Sequence, residues 1–558
     1  MTLDNRFLAR LAQAVDADLA APSSPQTHRE LMRYARLLVA TYLWPASGRH
    51  GDAALIDAAR ENVAALRALQ GPSGLFIGGD NVDSPPDSSF TINDLCDALY
   101  LLETVPHEAT PATRALIGEL HAIADTIESA LVTGGVHTPN HRWEISAALA
   151  RLHRRRPSQR LADRASEWLA EGIDIAPDGT YSERSANYAA HVSNPSLSVI
   201  ADVFGRADAR DAVIRNLEST LGLIHPDATV ETVHSRRQDQ LTRFSASSYL
   251  ALYRRYAVEL GRGDFAWAAE RALEAGVAEP DSVLTELLIH EHVGHSLPDP
   301  VVPAASGVWE QCSLAVDATD RRRLVVFGGS DYSRVRRIRS GLSTNPTFLR
   351  MFAGPVTLDA VRLSRDFFGL GPFRAASLRR EGERYVLHES VSASYYQPLL
   401  PDAREDDGAY ELSYEGRFYS AMSFSERARD EVSLLTRVTV HPTDDGAELE
   451  ISIDGPDCAW SLELAFRGGE FDGSCADEEG RVLLESGTIR YRAGGAAIAV
   501  VADDGYRAQG PASYRPGEDY AFLGATDAVA GDRLYLTGRG STVRKIALRA
   551  ENDEEETR

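Results

Sequence analysis

The chain has 558 residues and a net charge of −24, from 82 Asp+Glu against 58 Lys+Arg. That length exceeds what one core fills, so two or more domains are expected, and 43% hydrophobic with 25% charged residues is an ordinary globular composition. The acidic balance repels nucleic acid and anionic membrane surfaces, and no run approaches the roughly eighteen apolar residues of a membrane span.

The first ten residues, Met1 to Arg10, carry an acid early and lack an uninterrupted apolar stretch, so the expectation is a cytoplasmic protein without a secretory signal. Cys96, Cys312, Cys458 and Cys475 are scattered and form no Cys-x-x-Cys pair, so reduced thiols are expected rather than a zinc site or a disulfide framework.

From Phe7 to about His290 the apolar period is helical. Ile92, Leu95, Cys96, Leu99 and Tyr100 fall on one stripe, as do Ile145, Ala148, Leu149 and Leu152. Helices are predicted over 6–20, 27–43, 52–69, 90–104, 111–131, 141–154, 160–172, 187–204, 208–223, 243–258, 264–275 and 280–290. Gly71-Pro72 and Gly205 are among the breaks. Helix pairs in this number suit an α/α toroid, and a bundle or helical-repeat solenoid would show the same period.

Within this half, Thr138-Pro139-Asn140-His141-Arg142-Trp143-Glu144 places Asn140 and His141 just before a predicted helix, where the dipole favours an anion. Asn140 as a plain helix cap is the competing reading. The turn-rich Asp178-Gly179-Thr180-Tyr181-Ser182-Glu183-Arg184 leads to Tyr188, which lies 48 residues after Asn140, roughly one helical hairpin on from it. Tyr181, Glu183 and Arg184 could line the same mouth, with Arg142 a further substrate-binding candidate; a core or rim aromatic is the bland reading of Tyr188 and a surface salt bridge that of Arg184. His191 is a weaker candidate. Between two helices, His234, Arg236 and Arg237 precede Asp239; Arg237 could clamp a carboxylate, or the arginines could be a solvated pair offsetting Asp239. His290, His292 and His295 do not have the spacing of a zinc motif, so no metal and no cofactor is expected.

After Pro298-Asp299-Pro300-Val301-Val302-Pro303 the period becomes two: Leu449, Ile451 and Ile453 alternate with polar residues, as do Trp460, Leu462, Leu464 and Phe466. Further strands are predicted over 322–328, 384–397, 409–424, 431–441, 481–493, 496–502 and 533–547, packed as an antiparallel sandwich or stacked sheets. This places a toroidal catalytic domain at 1–297, an antiparallel β-sheet domain at 304–550 and a solvated acidic tail at 551–558. Arg334, Arg336, Arg337 and Arg339 form a basic patch beside Phe327-Gly328-Gly329-Ser330-Asp331. His388, Tyr395 and Tyr396 could reach a site from this half, or be cross-strand packing.

An amide, an imidazole, guanidiniums and phenols without a metal cluster suit proton abstraction beside a carboxylate. A uronate yields its C5 proton when its carboxylate charge is neutralised by fixed donors, and a Tyr or His can then move the proton.

These two motifs, with a helical half before a strand-rich half, resemble the heparinase II/III-like polysaccharide lyases. The resemblance implies an (α/α) toroid followed by an antiparallel β-sheet domain, and β-elimination at a uronate-containing oligosaccharide to give a C4–C5 unsaturated product. It also implies that Asn140 and His141 neutralise the carboxylate, that Tyr188 protonates the leaving oxygen, and that Tyr396, Tyr395 or His388 could complete the base function. Ser235 to Asp239 and Phe327 to Asp331 have no counterpart in that pattern. A toroidal glycoside hydrolase using Asp94 or Asp97 with Glu183, or a non-catalytic carbohydrate-binding protein, are the alternatives. The sequence leaves a homo-oligomer open.

Overall fold

The computed structural model describes residues 2–21, 24–78, 81–335, 345–415, 421–473, 476–514 and 529–552. The chain divides into two compact units: Met1–Glu231 with Arg243–Ala304, and Thr232–Thr242 with Ala305–Arg558.

The first unit is an α/α toroid. His28–Leu43, Pro85–Thr104, Pro139–Arg155, the run 186–204, Leu250–Leu260 and Pro280–Ile289 form an inner ring, which closes where the last packs on the first. Ser198 and Tyr256 hydroxyls, 3.2 Å apart, join the fourth and fifth members. Asn5–Ala20, Ala53–Ala68, Pro111–Thr133, Gln159–Leu169, Ala207–Leu221 and Gly263–Ala275 pack outside them. The two layers differ in sequence for a physical reason. The outer Gln159–Leu169 buries only the stripe Leu161, Ala165 and Leu169, each large apolar side chain contributing about 1.5–3 kcal/mol. The inner Pro139–Arg155 buries residues on every face, among them Asn140, His141, Glu144 and Arg151.

Several charged groups inside the ring are paired with one another, as burial favours. Arg36 donates to Asp94 (2.6 Å), Asp281 (2.5 Å) and Ser282 (2.9 Å). Arg151 donates to both oxygens of Asp97 at 2.9 and 2.8 Å, and Arg154 adds a third bond to Asp97 at 2.9 Å. Although burial pushes the Asp97 carboxyl upward, Arg151 and Arg154 hold it below the usual range. Asp94 and Asp97 are thus bound inside the ring instead of solvated.

Element ends carry informative differences from the sequence reading. The helix expected at 90–104 starts at Pro85: Ser84 caps it, accepting from the Asp87 N–H at 3.2 Å, and prolines suit a first turn. The expected 243–258 helix begins as Phe244–Ser245, a strand paired with Thr229–Val230, and becomes α-helical only over Leu250–Leu260. The expected 187–204 helix is broken by a π turn at Ala189–Ser193. Pro195 explains it, because proline has no N–H to return to the carbonyl four residues back, and the widened turn absorbs the mismatch.

The second unit holds, among the described residues, two eight-stranded sheets. One runs Glu470–Phe471, Thr488–Ala493, Ala496–Ala502, Thr542–Asn552, Gly446–Asp454, Arg429–Pro442, Arg384–Tyr396, Leu378–Glu381. The other runs Arg481–Leu483, Asp532–Arg539, Ala459–Arg467, Val356–Arg365, Leu349–Ala353, Arg323–Phe327, Leu314–Ala318, Gly307–Trp309. Pairing is antiparallel except between Arg481–Leu483 and Asp532–Arg539. Leu449, Ile451 and Ile453 enter the core from the first sheet, and Leu349, Leu363 and Leu464 from the second. Arg365 crosses between the sheets to Glu389 (2.6 Å) and Thr436 (2.7 Å).

Leu349–Ala353 and Val356–Arg365 went unpredicted because both faces are covered, which erases the alternation. The long strand expected over 409–424 is represented by Ser413–Tyr414 paired with Ala421–Met422, and 416–420 lie outside the described residues. Glu551 and Asn552 are not tail: they end the Thr542–Asn552 strand, and Glu551 pairs with Arg490 at 2.7 Å. Residues 553–558 lie outside the described residues, as does Cys475. Cys96, Cys312 and Cys458 are buried free thiols. The segment Thr232–Thr242, expected with the toroid, belongs to the second unit, held by Asn345 donating to the Val233 carbonyl at 3.1 Å.

Candidate active site

Asn140 and His141 lie within the first turn of Pro139–Arg155, not ahead of it, because Pro139 takes the first helical position and Thr138 the cap. The Thr138 side chain makes no capping bond to the backbone. Its hydroxyl donates instead to Asn140 Oδ1 at 2.6 Å, which fixes the amide. Asn140 is 2% exposed, and its Nδ2 has no hydrogen-bond partner among the described residues. A buried amide N–H left without an acceptor costs about 1–3 kcal/mol, so an arriving acceptor such as a carboxylate oxygen recovers that cost. His141, also buried, meets the His137 ring edge-on at 4.6 Å between centroids.

Tyr188 closes the short helix Ala186–Tyr188, whose cap Ser185 accepts from the Tyr188 N–H at 3.1 Å. The ring is half-buried and is followed directly by the π turn. That turn packs on Pro139–Arg155, which brings the Tyr188 run and the Asn140 helix together inside the toroid. Glu183 and Arg184, both half-buried, precede it, and Arg184 has a left-handed backbone at φ 52°. Gly179 at φ 84° shapes the same turn; an added Cβ would stand 2.4 Å from the Arg215 carbonyl oxygen.

Two residues expected at the mouth are placed elsewhere. Tyr181 is buried, donates to Asn194 Oδ1 at 2.8 Å, and has its phenol pushed well up by burial. Asn194 continues to Asn216 at 2.8 Å and Asn216 to the Gly179 carbonyl at 3.0 Å, so Tyr181 braces the turn and offers no substrate surface. Arg142 pairs with Glu171 at 2.8 Å and lies over the Trp143 ring, which commits its guanidinium to the outer layer.

Glu144 was not expected. It lies one turn beyond Asn140 and is 3% exposed; Asn93 Nδ2 donates to one oxygen at 2.6 Å and Ser196 Oγ to the other at 2.9 Å. Burial pushes its carboxyl up to about 7, against the opposing pull of those two hydrogen bonds. The sequence signal was a lone glutamate between the buried Trp143 and Ile145.

In the second unit, His234 is buried, and Arg236 grips Asp331 with Nε and Nη2 at 2.6 and 2.8 Å. The two segments without a counterpart in the lyase pattern therefore meet. Asp239 accepts from the Ser235 hydroxyl. Gly329 lets its own segment lie close to Cys312, since a Cβ there would fall 1.9 Å from the Cys312 carbonyl oxygen. Arg237 is half-buried. Arg334 also pairs with Asp331, while Arg336, Arg337 and Arg339 lie outside the described residues. Tyr396 ends the Arg384–Tyr396 strand with its ring 4.8 Å from Phe424. Tyr395 is exposed and edge-on to Phe368, and His388 is half-buried opposite Arg437.

An open pocket of about 290 Å³ in the toroid is lined by Asp18, Glu30, Arg33, Tyr34 and Asp281. Three carboxylates to one arginine make it a poor seat for a uronate. No group of His, Cys, Asp and Glu among the described residues has a metal-holding arrangement, and none of their helices is long and apolar enough to cross a membrane.

No protein-family model matches the chain, and no curated protein does. Solved structures do. A heparinase III is 12% identical, with a TM-score of 0.52 over 99% of this chain and 85% of its own. The Streptomyces coelicolor A3 chondroitin AC lyase, in complex with chondroitin sulphate, is 13% identical, with a TM-score of 0.53 over 97% and 79%. A Paenibacillus xanthan lyase is 11% identical, with a TM-score of 0.50 over 98% and 56%. At these identities the likeness is one of fold, and the chain has the toroid-plus-sheet architecture of polysaccharide lyases.

Proposed function

We propose that the protein cleaves uronate-containing oligosaccharides by β-elimination. Asn140 and His141 hold the uronate carboxylate, so the charge released when C5 loses its proton spreads onto a neutralised group. A base takes that proton, the C4–O4 bond breaks, and Tyr188 donates its phenolic proton to the departing oxygen. The product carries a C4=C5 double bond, and no water enters.

The observation that carries this reading is the buried, fixed and unsatisfied Nδ2 of Asn140, set in the first turn of an inner helix in a fold shared with polysaccharide lyases. Arg184, Glu183, His234 and Arg237 are proposed as sugar contacts, and His141 or Tyr396 as the base. The hydrolase reading is less well supported, because Asp97 is locked by two arginines and Asp94 by Arg36.

The test is incubation with uronate oligosaccharides, followed by ultraviolet absorbance and mass spectrometry. Elimination gives a conjugated product pair lacking the mass of water. Products that have gained water would replace this reading with hydrolysis, and saturable binding without products would replace it with a carbohydrate-binding role.

A further inference from the structure

Three residues beyond Tyr188 stands a second ring able to move a proton. His191 lies in the π turn Ala189–Ser193, and that turn packs on the helix that begins with Asn140 and His141. Its Nδ1 is 3.1 Å from Glu279 Oε2, at the residue preceding the Pro280–Ile289 helix. The His191 side chain keeps 25% of its surface open, and the Phe244 ring abuts it edge-on at 5.8 Å.

The groups around the pair favour a charged carboxylate facing the ring. Burial raises the Glu279 carboxyl, yet the hydrogen bond and charge of His191 bring it below the usual range; Asp281 opposes this and Arg33 assists. A carboxylate accepting from Nδ1–H fixes the tautomer in which Nε2 carries the lone pair, and it stabilises the imidazolium formed when Nε2 accepts a proton. The location is also unusual. A π turn gives up regular helical bonding, and such turns concentrate at functional sites.

We propose that His191 Nε2 is the base that removes the C5 proton, with Glu279 as its positioning residue. This rests on the β-elimination reading above and gives the base role to His191 in place of His141 or Tyr396, leaving His141 to hold the carboxylate. The C5–H electron pair moves onto the uronate carboxylate held by Asn140 and His141. Collapse of that enediolate forms C4=C5 and expels O4, which takes the Tyr188 proton. His191 then releases its proton to solvent and Tyr188 regains one, so the enzyme returns to its starting state with no other reactant.

The experiment compares wild type with His191→Ala, Glu279→Gln and Tyr396→Phe on a uronate oligosaccharide, with thermal denaturation to verify folding. The expected result for His191→Ala is a loss of about 10²–10⁴ in kcat at little-changed KM, an enlarged isotope effect with C5-deuterated substrate, and partial rescue by free imidazole. Glu279→Gln should lower kcat at little-changed KM, because the ring loses the acceptor that fixes its tautomer. A His191→Ala enzyme with wild-type kcat and pH profile overturns the assignment. So does a loss without imidazole rescue that tracks a lowered melting temperature, or a C5 isotope effect enlarged by Tyr396→Phe alone. Absence of any unsaturated product from wild type would instead sink the lyase reading, and this assignment with it.

Discussion

Ser196 Oγ stands 2.9 Å from Glu144 Oε2, so a buried hydrogen bond joins the helix carrying Asn140 and His141 to the helical run carrying Tyr188. Asn93 Nδ2 bonds the other carboxylate oxygen and extends the tie to a third inner helix. A single carboxyl thus sets the spacing of three helices from within the ring.

That carboxyl makes stability depend on pH. Its folded value of about 7 lies above the ordinary 4.5, so the folded state holds its proton where the unfolded chain has lost it. Stability contributed by the protonated group is complete below about 4.5, declines as pH rises, and is gone above about 7, a change of roughly 3 kcal/mol. Glu144→Gln cannot titrate. Its stability relative to wild type should rise between those limits and then level off, as followed by urea denaturation at a series of pH values; a difference that stays flat with pH would contradict the burial argument.

Asn140→Ala separates folding from chemistry. The change relieves the unsatisfied Nδ2 and gives up only the Thr138 hydroxyl bond to Oδ1, so the melting temperature should stay within a few degrees of wild type. Loss of one donor at a developing negative charge should cost about 10²–10³ in kcat. Formation of unsaturated product and a thermal melt, run side by side, check both halves.

Arg151 is predicted to matter for stability rather than for binding. Its replacement by Met removes two bonds to Asp97 and one to Asn93, leaving Asp97 with Arg154 alone. Breaking a buried pair from one side costs about 3–5 kcal/mol. Adding Asp97→Leu to Arg151→Met should recover much of that loss in urea denaturation, since no uncompensated charge then remains.

Gly179→Ala tests the turn before Tyr188. At φ 84° an alanine is strained, and its Cβ would press on the Arg215 carbonyl oxygen and the Ser219 side chain. A loss of about 1–3 kcal/mol is expected. Because Asn216 anchors the Gly179 carbonyl and connects through Asn194 to Tyr181, limited proteolysis should cut the 178–185 segment faster in the variant.

The amino-acid order by itself decided the division into a helical and a strand-rich half, because periods of 3.6 and 2 follow from backbone geometry and survive wherever one face meets water. Gln159–Leu169 and Gly446–Asp454 are such elements, one face buried and one wet. Local chemistry likewise marked Asn140, His141 and Tyr188 as residues worth placing. Tertiary structure decided what happened where both faces are covered. It produced the uninterrupted burial of Val356–Arg365, the burial of Asp97 and Glu144, and the retreat of Tyr181 behind the turn that it supports. It also brought Arg236 to Asp331, ninety-five positions away. The physical reason is one of range: periodicity and caps are set by neighbours a few residues apart, whereas the charge, burial and partner of a side chain depend on which distant segment folds against it.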